Sequence, residues 1–236
     1  MPLLPALSRR LRPEVMDQPG LDPARHRQAL AGLRRINFFS GSAGIFWPPL
    51  AALARASARP VRVLDLATGG GDVPIRLWQR ARRAGLSMDV EGCDVNPVAV
   101  AHATSQAEQR GAGVRFFVAD ALAGDLPAGY DAVICSLFLH HLTEDQAVAL
   151  LRHMADAAGR LVLVNDLVRS RAGLLLARVA THLLTLSPVV HVDGPRSVEG
   201  AFTIAEARAL ADRAGLAGAT VERRWPCRFL LTWVRP

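Results

Sequence analysis

The stretch VRVLDLATGGGD, residues 61–72, decides the fold class of this protein. Its first half is a run of β-branched residues and leucine between Pro60 and a glycine cluster, which is typical of a buried strand. Residues 73–84 are amphipathic, with Pro74 in the first turn of the predicted helix, where the missing N–H costs nothing. A glycine-rich turn between strand and helix lets a ligand approach the backbone and offers it N–H groups. The stretch therefore predicts a strand, a ligand-binding turn and a helix, in that order.

The same alternation continues along the rest of the chain. Apolar runs predict further strands over residues 88–94, 114–120, 130–139, 160–166, 219–224 and 229–234. Helices are predicted over residues 97–110, 143–157 and 203–213, the last two opened by capping boxes at Thr143 and Thr203. Near-continuous apolar strands separated by helices are typical of a parallel sheet covered on both faces. We therefore expect an α/β fold with a doubly wound, seven-stranded, mostly parallel, Rossmann-like sheet.

Two segments lie outside this alternation and are expected to cover the sheet edge. Residues 1–58 predict an N-terminal helical cap, and residues 59–236 predict the main domain, the whole acting as one structural unit. After the fifth strand, a lid insertion is expected at about residues 171–202. Residues 171–191 predict a single strongly apolar helix, and HVDGPRSVEGAF (191–202) is expected to be irregular.

Charge and composition argue against a nucleic-acid partner. The chain of 236 residues has a formal net charge of +7, and all of its 28 basic residues are arginine. These arginines are scattered among acidic residues and form no basic block, so no nucleic acid is expected to bind.

The cysteines and the apolar runs indicate the cellular compartment in which the protein is expected. Cys93, Cys135 and Cys227 include no CxxC pair, which indicates free thiols in a reducing cytoplasm. The N-terminus places apolar residues before its arginines, the reverse of a signal peptide. The longest uncharged run contains Pro48–Pro49, so no integral membrane segment is expected there, although transient membrane contact remains open. No metal site is expected.

Two familiar nucleotide motifs do not fit the glycine turn. Counted from Gly69 and Gly71, the third glycine of a dinucleotide fingerprint falls on Pro74. A phosphate-binding P-loop needs a lysine, which this chain lacks.

Four motifs in order resemble another family. DLATGGG (65–71), Asp94, Ala119–Asp120 and YDAVICSLFLHHL (130–142) are similar to the motif set of class I S-adenosylmethionine-dependent methyltransferases, with Ala67 at a position where the family often has glycine. The resemblance implies S-adenosyl-L-methionine as cofactor and S-adenosyl-L-homocysteine as product. It implies the following cofactor-binding residues: Asp65, Ala67, Gly69, Gly71, Asp94, Asn96, Ala119, Asp120 and Ser136.

Structural roles remain open for several of these residues. Asp65 and Asp94 also suit strand-end caps, and Asp120 suits the N-cap of a helix. Asn96, which precedes Pro97, also suits a turn and helix start.

The catalytic residues are expected beyond strands 4 and 5. His140 and His141 lie where the methyl acceptor should bind, and a neutral imidazole there could take a proton from a phenol. The alternative is that one of the two histidines is packed and caps the next helix. Asp166, at the end of strand 5, is a further candidate.

The N-terminal segment and the leucine-rich lid resemble small-molecule methyltransferases of polyketide and quinone pathways. We expect an acceptor pocket between residues 38–47, the histidine pair and a lid helix over residues 174–190. The resemblance implies methylation of a small, apolar, aromatic or polyketide acceptor, with oxygen favoured over carbon. The alternative function is a non-catalytic cofactor-binding partner or regulator of the same fold, and the oligomeric state is left open.

Overall fold

The computed structural model describes residues 7–16, 18, 20–124 and 126–236. Residues 1–6, 17 and 19 of the predicted cap lie outside them. The described chain forms a seven-stranded sheet of order β3-β2-β1-β4-β5-β7-β6. Its strands are β1 (Val61–Leu66), β2 (Met88–Asp94), β3 (Arg115–Val118), β4 (Tyr130–Ser136), β5 (Ala158–Leu167), β6 (Thr220–Arg224) and β7 (Arg228–Val234).

The topology of the sheet creates one crevice. β1 pairs in parallel with β2 and β4, and β5 continues the parallel half, whereas β7 pairs antiparallel with β5 and β6. The order of strands reverses between β1 and β4, and ligands of open α/β sheets bind outside the carboxyl ends at such a switch point. The predicted Rossmann-like fold class is confirmed.

Helices cover both faces and the carboxyl edge of the sheet. They are α1 (Pro23–Phe39), α2 (Ser42–Arg55), α3 (Asp72–Arg83), α4 (Pro97–Gln109), α5 (Glu144–Ala157), α6 (Arg171–Leu184), α7 (Pro188–Gly200) and α8 (Ile204–Arg213). One apolar core joins α2, α3 and α4 to the sheet, and the other joins α5 and α8 to its opposite face. The remaining helices, α1, α6 and α7, contact one another. Both predicted capping boxes are present, at the starts of α5 and α8.

α2 belongs to the core of the domain. Phe46 and Leu50 are fully buried in the cluster that contains Val63 and Ile134 of the sheet. The expectation that residues 38–47 form a wall of the acceptor pocket is therefore wrong for Phe46, because its side chain is used to cover the sheet.

The fourth strand ends earlier than its apolar run predicts. β4 stops at Ser136, and Leu137 adopts a left-handed backbone conformation with φ 57°. That conformation is unusual for a residue with a branched side chain, and it turns the chain out of the sheet. A short 3₁₀ turn at Leu139–His141 follows.

The lid segment differs most from its prediction. The apolar stretch breaks after Leu184, and Ser187 is extended because the α conformation is disfavoured before Pro188. The stretch expected to be irregular is helical, within α7.

Helix packing explains why the Asp-Gly-Pro sequence at residues 193–195 of α7 does not form a turn. An added Cβ at Gly194 would lie 2.5 Å from Thr181 Cγ2, and one at Gly200 would lie 2.8 Å from the carbonyl oxygen of His140. These glycines allow close helix packing, which overrides their usual preference for turns.

No helix within the described ranges is long and apolar enough to cross a membrane.

Candidate active site

A cavity of about 840 Å³ lies at the carboxyl edge of the sheet, beneath α1, α6 and α7. Leu30, Leu33, Leu176 and Leu184 contribute to its largely apolar wall. Small-molecule sites of about 300–1,000 Å³ commonly combine such walls with a few polar groups. Nine of the twelve predicted site residues line it, namely Ala67, Gly69, Asp94, Asn96, Ala119, Asp120, Ser136, His140 and His141. Asp65, Gly71 and Asp166 do not.

The glycine turn after β1 has two kinds of glycine. Gly69 (φ 53°) lines the cavity, and the atom nearest to an added Cβ would be Leu30 Cδ2, at 3.8 Å. Gly71 (φ 72°) faces the core, where an added Cβ would lie 2.7 Å from the Phe116 ring and 2.8 Å from Ala103 Cβ. The first glycine therefore leaves room for a ligand, and the second lets the start of α3 lie close to Phe116 of β3 and Ala103 of α4.

Asp94 ties the glycine turn to the end of β2. Its Oδ2 accepts a hydrogen bond from the Gly69 N–H at 2.8 Å, and its Oδ1 accepts one from the Asn96 N–H at 2.9 Å. Each carboxylate oxygen has a further lone pair, so Asp94 can also accept hydrogen bonds from ligand hydroxyls. Asn96 caps α4 by accepting from the Val98 N–H at 2.9 Å, in agreement with its expected helix start, and still lines the cavity.

Asp65 lies behind the turn rather than in the cavity wall. Its Oδ2 accepts from the Thr68 hydroxyl at 2.7 Å, and its Oδ1 is buried with no hydrogen-bond partner among the described residues. Burial, reinforced by the nearby carboxyl groups of Asp72 and Asp94, raises the pKa of Asp65 to about 8. At neutral pH, Asp65 is therefore mostly an uncharged carboxyl group.

The ends of β3 and β4 complete this side of the cavity. Asp120 Oδ1 accepts from the Leu122 N–H at 2.8 Å and stabilises a turn, since no helix begins there. The alternative that Asp120 is a helix N-cap is therefore wrong. Ser136 Oγ accepts from Asn165 Nδ2 at 3.0 Å. We call the residues Ala67, Gly69, Asp94, Asn96, Ala119, Asp120 and Ser136 the glycine-turn side.

On the other side of the cavity, Asp166 fixes His140. The Asp166 carboxylate is 2.7 Å from His140 Nδ1 and accepts from the backbone N–H groups of His140 at 3.1 Å and Leu167 at 2.6 Å. Asp166 is fully buried and does not line the cavity, so it orients the imidazole and does not contact a ligand. This differs from the expected catalytic contact of Asp166.

Glu14 approaches both histidines from the N-terminal segment. Its Oε1 is 3.6 Å from His140 Nε2 and 3.9 Å from His141 Nε2. Burial raises the pKa of Glu14, but the two imidazoles and Ser197 outweigh burial and hold it below its ordinary value. We call Glu14, His140 and His141 the imidazole side.

The charge of His140 follows from these neighbours. Burial lowers the pKa of His140, but Asp166 and Glu14 outweigh burial and raise it to about 10. His140 is therefore protonated at neutral pH in this arrangement, unlike the neutral imidazole that the sequence led us to expect.

Sequence patterns missed Glu14 because no motif surrounds it. Its position depends on α7, where the Asp193 carboxylate accepts from the N–H groups of Val15 at 2.8 Å and Met16 at 3.0 Å. Ser197 of the same helix donates to Glu14 Oε1 at 2.5 Å. Glu14 is thus held at the cavity by α7, most of which the sequence did not predict to be helical.

The fold is that of class I S-adenosylmethionine-dependent methyltransferases, as the motif resemblance predicted. Residues 63–159 match the family described as methyltransferase domain. The match begins within β1 and ends within β5, and so contains the glycine turn and the histidine pair.

Two curated relatives are demethylmenaquinone methyltransferases. The protein from Thermus thermophilus is 37% identical over 128 residues, which cover 53% of this chain and 56% of the relative. The protein from Deinococcus radiodurans is 33% identical over 121 residues, covering 50% and 48% respectively. This chain therefore matches about half the length of each relative.

A similar solved structure is an O-methyltransferase from neocarzinostatin biosynthesis, crystallised with S-adenosyl-L-homocysteine and 1,4-dihydroxy-2-naphthoic acid. It is 21% identical, with a TM-score of 0.64, and the alignment covers 91% of this chain and 58% of that one. At this identity the likeness supports the fold alone.

Proposed function

We propose that this protein transfers the methyl group of S-adenosyl-L-methionine to a hydroxyl group of a small, apolar, aromatic acceptor. The observation that carries the proposal is that one apolar-walled cavity joins the glycine-turn side to the imidazole side. A donor and an acceptor bound together there would be held in contact and shielded from water, which accounts for much of the rate gain in such transfers.

The glycine-turn side fits the proposed cofactor. When bound, S-adenosyl-L-methionine supplies an electrophilic methyl group. The open backbone at Gly69 admits a ligand, and Asp94 has lone pairs to accept from ribose hydroxyls. The residues Ala67, Asn96, Ala119, Asp120 and Ser136 would complete its binding site, with Asp65 and Gly71 shaping the turn from behind. S-adenosyl-L-homocysteine is the proposed product.

The imidazole side would bind the acceptor hydroxyl. His140, protonated and held by Asp166, suits a hydrogen-bond donor to the acceptor oxygen. His141 lines the cavity beside it, with ring centroids 4.2 Å apart, and is the proposed proton acceptor. Proton removal by a positioned base typically contributes about 10²–10⁴-fold.

Three features support an aromatic or quinone-related acceptor. The cavity wall is largely apolar, two relatives are named as demethylmenaquinone methyltransferases, and the similar O-methyltransferase structure contains a dihydroxynaphthoic acid. Phenols, polyketides and quinone precursors form the proposed acceptor class, and α1 with α6 and α7 would act as cap and lid over it. A ring carbon beside a phenol hydroxyl is the alternative acceptor atom.

The test combines binding and turnover. Calorimetry should show S-adenosyl-L-homocysteine binding, and incubation with S-adenosyl-L-methionine and a panel of dihydroxynaphthoic acids and alkylphenols should yield a monomethylated product by mass spectrometry. NMR of that product decides between oxygen and carbon. Cofactor binding with no transfer to any acceptor would instead support a non-catalytic partner or regulator, and no binding would contradict both functions.

The outer face of α6 supports contact with an anionic membrane surface, where apolar quinone precursors would be found. Leu183 of α6 is 78% exposed, Leu186 just beyond the end of α6 is 84% exposed, and Arg171 and Arg178 belong to α6. No aspartate or glutamate occurs in residues 23–64 or 167–192. Exposed apolar side chains among arginines favour negatively charged lipid headgroups. The buried free thiols of Cys93 and Cys135 are consistent with a cytoplasmic location.

Vesicle sedimentation would test this contact. Binding to phosphatidylglycerol vesicles should exceed binding to phosphatidylcholine vesicles and should fall when Leu183→Asp and Leu186→Asp are combined. Val234→Asp, at another exposed apolar residue, is the matched control. Equal binding by all three proteins would contradict the proposal.

A further inference from the structure

Three side chains on the imidazole side converge around one point at the cavity. The nearest ligand atoms of Glu14, His140 and His141 all lie within 4.8 Å of one another. The distances of 3.6 Å and 3.9 Å from Glu14 Oε1 to the two Nε2 atoms are longer than hydrogen bonds. The three groups therefore surround a small space without closing it by direct hydrogen bonds to one another.

We propose that Glu14, His140 and His141 bind a divalent first-row transition-metal cation such as Zn²⁺. Two imidazoles and a carboxylate are a ligand set that such cations favour over Mg²⁺ and Ca²⁺. Zinc ligands lie about 2.0–2.2 Å from the metal, so the three side chains would draw slightly closer around it. All three line the cavity, so the remaining coordination positions face the space proposed for the acceptor.

The surroundings of His140 are those of a metal ligand. Its Nδ1 lies 2.7 Å from Asp166, so this nitrogen keeps its N–H, and Nε2 can bind a metal after giving up its proton. Metal-ligating histidines commonly donate their other N–H to a carboxylate in this way, which fixes the ring orientation. Ser197 similarly holds Glu14 Oε1.

Charge balance supports a cation of this valence. Glu14 and Asp166 bring two carboxylates into a cluster where both are buried. A divalent cation would displace the proton of His140 to solvent and offset both carboxylate charges, and both imidazoles would then bind it in their neutral form.

The inference goes beyond the proposed function, because metal binding is measured without methyl transfer. In the metal-bound form, a cation facing the acceptor would act as a Lewis acid on its oxygen, in place of the donor and base roles proposed for the metal-free imidazoles. The position of the site therefore connects it to the proposed chemistry, although its test does not depend on that chemistry.

The experiment uses Co²⁺ as a spectroscopic probe and Zn²⁺ as its competitor. The 236-residue chain without a histidine tag is stripped with EDTA, dialysed and titrated with Co²⁺ while visible d–d absorption is recorded. We expect one Co²⁺ per chain, displaced by Zn²⁺. Glu14→Gln and His141→Gln, which keep side-chain size and hydrogen-bonding capacity, should each weaken Co²⁺ affinity at least 10-fold.

Matched controls come from a second histidine pair. His182 and His191 stack at 4.2 Å and are not among the residues that line the cavity, so His182→Gln and His191→Gln should leave Co²⁺ affinity unchanged. Thermal melts confirm that each variant is folded. The proposal is overturned if the parent binds no Co²⁺, if Glu14→Gln and His141→Gln bind it as the parent does, or if only the control variants lose it.

Discussion

The two sides of the cavity are built in opposite ways. The glycine-turn side is assembled from strand ends and the turns that follow them, and Asp94 and Asn96 are held by backbone hydrogen bonds close to them in sequence or in the adjoining turn. The imidazole side joins the segment after β4 to Glu14, and Glu14 is held by α7. Proximity thus follows from the pairing of parallel strands on one side and from helix packing on the other.

The two sides also differ in charge. Burial leaves Asp65, behind the glycine turn, mostly uncharged at neutral pH, whereas carboxylate neighbours keep His140 charged. A site for a nucleoside cofactor and a site for an ionisable acceptor would need such different surroundings. The following predictions test the contrast, beginning with the largest expected effect.

Gly71→Val should prevent stable folding, whereas Gly69→Val should leave a folded protein that no longer binds S-adenosyl-L-homocysteine. The added side chain at Gly71 would meet Phe116 and Ala103, but the one at Gly69 would enter the cavity. Both positions have positive φ, so each variant also carries about 1–3 kcal/mol of backbone strain. Thermal melts and calorimetry separate the two effects. Equal stability of the two variants would contradict the distinction between a packing glycine and a ligand glycine.

His141→Ala should lower kcat by about 10²-fold or more while S-adenosyl-L-homocysteine affinity stays nearly constant, because a proton acceptor on the imidazole side is lost. His140→Ala should lower kcat and also the melting temperature, since Asp166 would be left buried without its positive partner. Steady-state kinetics and melts on both variants provide the measurement. Full turnover by both would show that the histidine pair has no part in catalysis.

Asp94→Ala should weaken S-adenosyl-L-homocysteine binding by about 10–100-fold, as expected from losing hydrogen bonds worth about 1.5–3 kcal/mol to an ionised group. Part of this loss of affinity would arise because the Gly69 N–H loses its hydrogen bond to Asp94, which holds the glycine turn in place. Calorimetry measures the change, and Asp89→Ala, at an exposed position on the same strand, is the control. Unchanged affinity in Asp94→Ala would remove Asp94 from the binding site.

Asp65→Asn should stabilise the cofactor-free protein more at pH 8.5 than at pH 5. An unfolded aspartate ionises near pH 4, whereas Asp65 in the folded protein has a pKa of about 8. Between these values the folded state binds more protons, so the contribution of Asp65 to stability falls as pH rises. Asparagine does not titrate, so its advantage should grow over this range, to several degrees in melting temperature. A melting-temperature difference that does not change with pH would contradict the raised pKa.

Sequence patterns over a few neighbouring residues predicted much of the fold but little of the arrangement on the imidazole side. The run at residues 61–66 and the capping boxes at Thr143 and Thr203 correctly predicted a strand and the starts of α5 and α8, because backbone geometry and nearby side chains suffice there. The same rules failed over residues 191–200, where buried helix contacts outweigh the turn preference of Asp-Gly-Pro.

The sequence by itself determined which site residues follow the strands: the glycine turn, Asp94, Asp120 and the histidine pair each come after an apolar strand. Because these strands are parallel, their carboxyl ends lie at one edge of the sheet. Only the tertiary structure decided that Asp166 lies behind His140, that Gly71 serves packing and Gly69 the cavity, and that Glu14 faces both imidazoles. The physical reason is how far apart along the chain the interacting residues lie. Strand and helix periodicity is encoded within a few neighbouring residues, whereas burial, ionisation and the meeting of distant side chains depend on how whole helices pack.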